Sequence, residues 1–89
     1  MKSNNDRILV IAAGKDQPGF VASVTSIISD LSGNIEEMDQ VVLSGIFIMS
    51  LIIKLEVDTP HFFAKGKRFL IARGAKIGLR IYVNRLKDL

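Results

Sequence analysis

The sequence predicts an α+β fold in which a four-stranded antiparallel sheet carries two helices on one face. Three observations predict it. Apolar residues follow strand and helix periods in the order β-α-β-β-α-β. Turn-forming residues, among them Pro18-Gly19, Gly33, Ser44-Gly45 and Thr59-Pro60, fall between those segments. The first and third strand segments are apolar on both parities, which suits the two central strands of such a sheet.

Residues 7–13 read Arg-Ile-Leu-Val-Ile-Ala-Ala, a buried strand closed by Gly14. Residues 15–19 form a turn, and Pro18 has the φ preset for the first helical position. Over residues 19–31, Phe20, Val24, Ile27, Ile28 and Leu31 recur at helical spacing, with Ser and Thr opposite. Gly33 then stands where a left-handed helix cap belongs. Residues 35–43 mix Ile35, Met38, Val41, Val42 and Leu43 with acidic residues, as a more exposed strand does. Ser44-Gly45 is a two-residue hairpin turn leading into a strongly apolar strand over residues 46–57. Thr59 is an N-cap followed by Pro60, opening a helix over residues 60–73. Phe62, Phe63, Phe69 and Leu70 lie on one stripe of it, and Gly74 is its expected stop. Gly66 inside this helix costs roughly 1 kcal/mol relative to Ala. Residues 76–83 alternate, with Ile77, Leu79, Ile81 and Val83 against Lys76, Gly78, Arg80 and Tyr82, a half-buried strand.

This is the ferredoxin-like, or split βαβ, sandwich. Right-handed crossovers place both helices on the same sheet face. If Phe47, Met49, Leu51 and Ile53 point at the helices, Ile46, Ile48 and Ile52 point away. Ile8 and Val10, or their neighbours in the first strand, join them. An open apolar patch of that kind is unusual on a monomer, so self-association is expected.

With 89 residues the chain fits one small domain, expected over residues 7–89 behind a polar tail at residues 1–6. It has no cysteine, which excludes disulfides, thiolate zinc sites and cysteine nucleophiles. Domains of this size often lean on a partner subunit. No apolar run reaches the ~18 residues of a membrane span, and the N-terminus carries no signal-peptide pattern, so a cytoplasmic protein is expected. The net charge of +3 hides an asymmetry: residues 1–56 hold four Lys/Arg and seven Asp/Glu, residues 57–89 eight and two.

The chemistry sits in Gly14-Lys15-Asp16-Gln17-Pro18-Gly19-Phe20 and in Gly33-Asn34-Ile35. Gly19 lets a ligand or backbone come close. The first amides of the following helix are unpaired and partly positive, so they can receive a carboxylate. Asp16 can pair with an ammonium group, and Asn34 offers a donor and an acceptor. A zwitterionic amino acid would meet opposite charges at its two ends. The structural alternative is that Asp16 caps the helix, Pro18-Gly19 is turn chemistry and Asn34 fills a tight loop.

In these residues the sequence resembles the ACT domain family, small regulatory modules that bind amino acids. The matching features are Asp-x-Pro-Gly followed by an apolar residue (Asp16, Pro18, Gly19, Phe20), Gly-Asn-Ile (Gly33, Asn34, Ile35) and Gly-x-Phe-x-Met (Gly45, Phe47, Met49). The resemblance spans residues 7 to about 85. It is nearest to stand-alone single-ACT-domain proteins and to modules related to glycine-cleavage regulators. It implies a non-catalytic regulatory homodimer that binds an amino acid or similar small polar metabolite. The ligand would sit between this loop of one subunit and the start of the second strand of the other. The expected site is therefore Asp16, Gln17, Pro18, Gly19, Phe20, Asn34 and Ile35, with no cofactor and no metal.

Other readings carry less. His61 lacks companion ligands and reads as a solvated helix-start residue. Glu37 and Asp39 share a face, with Glu36 on the other, as on a solvated edge strand. The basic second half, with Lys65, Lys67, Arg68, Arg73, Arg80 and Arg85, lacks the aromatic base-stacking strands of ferredoxin-like RNA binders. No nucleophile, base and orienting partner stand at plausible positions for an enzyme. An assembly or adaptor module joining a protein target, without a small ligand, is the remaining alternative.

Overall fold

The computed structural model describes residues 6–56 and 60–89. The elements are β1 (Arg7–Lys15), α1 (Phe20–Asp30), β2 (Gly33–Leu43), β3 (Ile46–Leu55), α2 (Pro60–Lys76) and β4 (Arg80–Arg85), then a 3-10 turn at Leu86–Asp88. The sheet order is β2-β3-β1-β4, and every neighbouring pair is antiparallel. This is the ferredoxin-like sandwich, with the two doubly apolar strands at its centre.

One sheet face and the helices enclose the core. Ile8, Val10 and Ala12 of β1 and Phe47, Met49, Leu51 and Ile53 of β3 are buried with Val24, Ile27 and Ile28 of α1 and Leu70 of α2. Leu9 and Ile11 are therefore the β1 residues that point away. β4 contributes Leu79, just before it, with Ile81 and Val83, while Arg80 and Tyr82 alternate outward.

Gly74 and Gly33 differ from the expected roles, each for a packing reason. Gly74 does not stop α2, which runs on to Lys76. A Cβ at Gly74 would collide with Ile81 Cδ1, so the missing side chain lets α2 lie against β4. The stop is Gly78, at φ +86, which moves the start of the last strand from residue 76 to Arg80. Gly33 does not supply the left-handed cap of α1, since Ser32 does, at φ 61. Gly33 opens β2 instead, because a Cβ there would meet Ile53 Cγ2 at 2.8 Å and Ile28 Cγ2 at 3.2 Å. At the other end of α1, Gly19 is the N-cap residue and Pro18 precedes the helix rather than opening it. The Ser44-Gly45 turn is as expected, with φ 51 and 76 at its two residues, the primed geometry that matches strand twist. The expected N-cap Thr59 and the expected strand end at Val57 lie outside the described residues.

β2 carries a bulge between Ile35 and Glu37. The bulge overturns the expected placement of Glu36 away from Glu37's side. The Glu36 carboxylate takes two hydrogen bonds from Arg7, at 2.6 Å from Nε and 3.1 Å from Nη2. Arg7, by its alternation with buried Ile8, belongs to the face away from the helices. An inserted residue breaks the period of two, and the parity argument fails there.

Candidate functional site

β1 ends at Lys15, and residues 16–19 turn the chain into α1. Two hydrogen bonds anchor this turn: the Asp16 amide donates to the Gly45 carbonyl at 2.9 Å, and Gln17 Nε2 donates to the Ile77 carbonyl at 3.3 Å. The turn is thus tied both to the β2–β3 hairpin and to the end of α2. Gly19 sits at φ 88, ψ 0, a left-handed conformation costly for other residues. A Cβ at Gly19 would meet nothing within 4 Å, so the space above it is open to a ligand. No side chain caps α1, which removes the reading of Asp16 as a helix cap. The first amides of α1 have no intrahelical acceptor, and the exposed Asp16 carboxylate precedes them in the turn.

The turn rims a cleft of about 670 Å³. Asp16, Gln17 and Gly19 form one wall, and Phe20, Val21 and Ala22 continue it along α1. Gln40, Val41 and Val42 of β2 form the opposite wall, and Phe47 of β3 lies between. Phe20 and Phe47 pack at 5.4 Å between ring centroids, tilted by 46°. The cleft exists because β2 outruns its cover. Met38 and Val42 pair with buried Leu51 and Phe47, yet are 51% and 50% exposed.

Of the expected site residues, the structure brings Asp16, Gln17, Gly19 and Phe20 to this cleft, while Pro18, in the same turn, does not line it. Asn34 and Ile35 stand elsewhere in the same chain. Asn34 pairs with Lys54, which pairs with Arg7 at the far end of β1. That is roughly 27 Å of strand from Lys15. Asn34 lines a separate hollow with Asp6, Lys54 and Glu56, and Ile35 packs on the core opposite Ile53. Gln40, Val41, Val42 and Phe47 were not expected in the site. Phe47 was visible as part of the Gly-x-Phe-x-Met pattern, and the hairpin register then places Val42 opposite it.

Arg7, 9% exposed, also meets Asp6 at 3.1 Å. The hydrogen bonds with Glu36 hold its guanidinium above the ordinary arginine value; burial opposes them, and the charges of Glu36 and Asp6 add to them. The cluster pins the bulge and lies at the opposite end of the sheet from the cleft.

Part of the basic second half is already engaged. Arg73 pairs with Asp30 at 3.2 Å and lies 5.2 Å over the Phe69 ring. Arg85 is buried, 4.5 Å over the Phe63 ring. His61 is exposed on α2. Among the described residues no three His, Asp or Glu side chains are grouped to hold a metal, and no helix is long and apolar enough to cross a membrane.

The chain is thus a ferredoxin-like sandwich whose first βα turn rims an open, apolar-floored cleft. An ACT domain profile matches residues 6–67, and the chain belongs to the ACT domain family. It is similar to the UPF0237 protein YjhC of Lactococcus lactis, 33% identical over 78 residues that make up 86% of this chain and 85% of that one. Its fold matches the ACT domain protein from Streptococcus pneumoniae with a TM-score of 0.80 and 26% identity, over 88% of this chain and 86% of that one. The regulatory subunit of aspartate kinase from Thermus thermophilus shares the fold, at a TM-score of 0.66 and 21% identity, over 90% of this chain and 51% of that one.

Proposed function

We propose that this protein is a non-catalytic, cytoplasmic regulatory module that binds an amino acid or similar small polar metabolite in the β1–α1 cleft. One observation carries the reading: a carboxylate, an amide side chain and a helix N-terminus share the rim of an apolar-floored cleft. The α1 amides would take the ligand carboxylate, Asp16 its ammonium group, and the Phe20–Phe47 floor its side chain. A volume of about 670 Å³ lies within the range of small-molecule sites.

A homodimer completes the site. β2 is an edge strand, and its midpoint is Met38. Antiparallel pairing of two β2 edges about Met38 brings the end of one copy's β2 that carries Asn34 and Ile35 alongside Val41 and Val42 of the other copy. The two expected site residues that lie far from the cleft in their own chain would thus reach the cleft of the partner. Binding would regulate by favouring one arrangement of the pair, to the extent of its differential affinity.

The test is a thermal-shift screen of the twenty amino acids followed by calorimetry. A ligand at 100 times its dissociation constant stabilises by about 2.7 kcal/mol, well resolved in a domain of this size. Gly19→Asp is expected to weaken binding, because it fills the open space and sets a second negative charge beside the ligand carboxylate. Silence across the panel would reject the ligand and leave an assembly module.

A further inference from the structure

A second hollow lies between α2 and the end of α1, away from the β1–α1 cleft. On α2, Phe62, Gly66 and Phe69 fall at positions i, i+4 and i+7, on one face of the helix. Two phenyl rings therefore flank a residue without a side chain, and the face is notched between them. Leu31, the residue after α1, backs the notch: a Cβ at Gly66 would stand 3.2 Å from Leu31 Cδ1. Leu31, Phe62 and Phe69 pack on the core from one side and stay half-exposed on the other. The hollow so formed holds about 380 Å³, within the range of small-molecule sites.

Its free charges are of one sign. His61 and Lys65, one helical turn apart, line it and are exposed. α2 has no acidic residue in its length from Pro60 to Lys76. The one carboxylate in the wall, Asp30, is held by Arg73 at 3.2 Å, and the same guanidinium lies 5.2 Å over the Phe69 ring. Arg73 thus neutralises Asp30 and braces Phe69 together. A ligand's ammonium group would have to displace that arginine, whereas a carboxylate would meet the Lys65 ammonium and the His61 ring N–H.

We propose that this hollow binds a monocarboxylate with an apolar tail and no amino group, such as a medium-chain alkanoate. The tail lies over Gly66 between the two rings, and the carboxylate faces Lys65 and His61. An exposed ion pair contributes little, so burial of the tail carries the affinity and Lys65 selects the anion. The hollow shares no lining residue with the β1–α1 cleft, so it neither needs nor excludes a ligand there.

The test is an amide-NMR titration of the full chain with sodium octanoate. Saturable binding with a Kd of about a millimolar is expected, with the largest shifts at Leu31, Ser32, Lys65 and Gly66. Hexanoate should bind about tenfold more weakly, because it buries two fewer methylenes. Lys65→Glu, at an exposed position, should weaken octanoate at least threefold and leave 1-octanol unchanged. Gly66→Ala, favoured by helix propensity, puts a methyl in the notch and should weaken both. No saturation by about 20 mM, shifts centred on Gly19 and Val42 instead, equal affinity for hexanoate and octanoate, or equal losses of octanoate and octanol in Lys65→Glu would each overturn the proposal. So would a Gly66→Ala variant that binds like wild type. Failure of the amino-acid screen changes none of these readouts.

Discussion

β3 presents Phe47, Met49, Leu51 and Ile53 on one side and Ile46, Ile48 and Ile52 on the other. The first set is at most 5% exposed, whereas Ile48 and Ile52 are half-buried and Ile46 is 39% exposed. β1 repeats the contrast, with Val10 and Ala12 sealed and Leu9 and Ile11 half-covered by neighbouring strands alone. The two faces are nearly equal in hydrophobicity, so side-chain character does not separate them. The crossovers do, by sending both helices to one side. Stability should therefore reside on the closed face and association on the open one.

That division can be broken by experiment. Leu51→Ala, on the closed face, is expected to cost about 3 kcal/mol, read as a lower urea midpoint at unchanged slope, because it opens a cavity in a sealed core. Gly74→Ala should cost about 1–2 kcal/mol, since its Cβ would collide with Ile81 Cδ1. Combining it with Ile81→Val, which removes that methyl, should recover part of the loss, and strict additivity of the two would refute the contact.

A smaller effect is expected from Glu36→Gln, which weakens the two-pronged bond to Arg7 and should lower the urea midpoint by less than Gly74→Ala does. The sign with pH follows from the arginine. Its folded pKa is raised, so its contribution is complete below the ordinary arginine value and fades only above it. The gap between wild type and Glu36→Gln should accordingly stay flat from about pH 6 to 9; a gap that closes within that window would assign the coupling to another group. Least of all, Ile52→Thr on the open face should change the unfolding free energy of the isolated subunit by under about 1 kcal/mol. Its effect should appear in the sedimentation coefficient instead. A loss as large as that of Leu51→Ala would erase the distinction between the faces.

The candidate site divides along a similar line. Asp16, Gln17, Gly19 and Phe20 were readable because one short segment holds them, and a turn followed by a helix fixes their relation locally. Gln40 and Val42 were not, because they join the site only through the register of a hairpin whose far half the helices leave uncovered. Asn34 and Ile35 were placed across a subunit interface from Asp16 on the family resemblance alone, and within one chain the length of β1 lies between them.

Element order, the central position of β1 and β3, the Ser44-Gly45 turn and the alternation before and through β4 were all present in the order of residues. They depend on period and turn chemistry, which act within a few residues. Tertiary structure decided which glycine ends α2, why Gly33 and Gly74 lack side chains, where β2 bulges and what Arg7 holds. Each of those depends on the approach of segments distant in the chain, and the space between two such segments belongs to neither sequence alone.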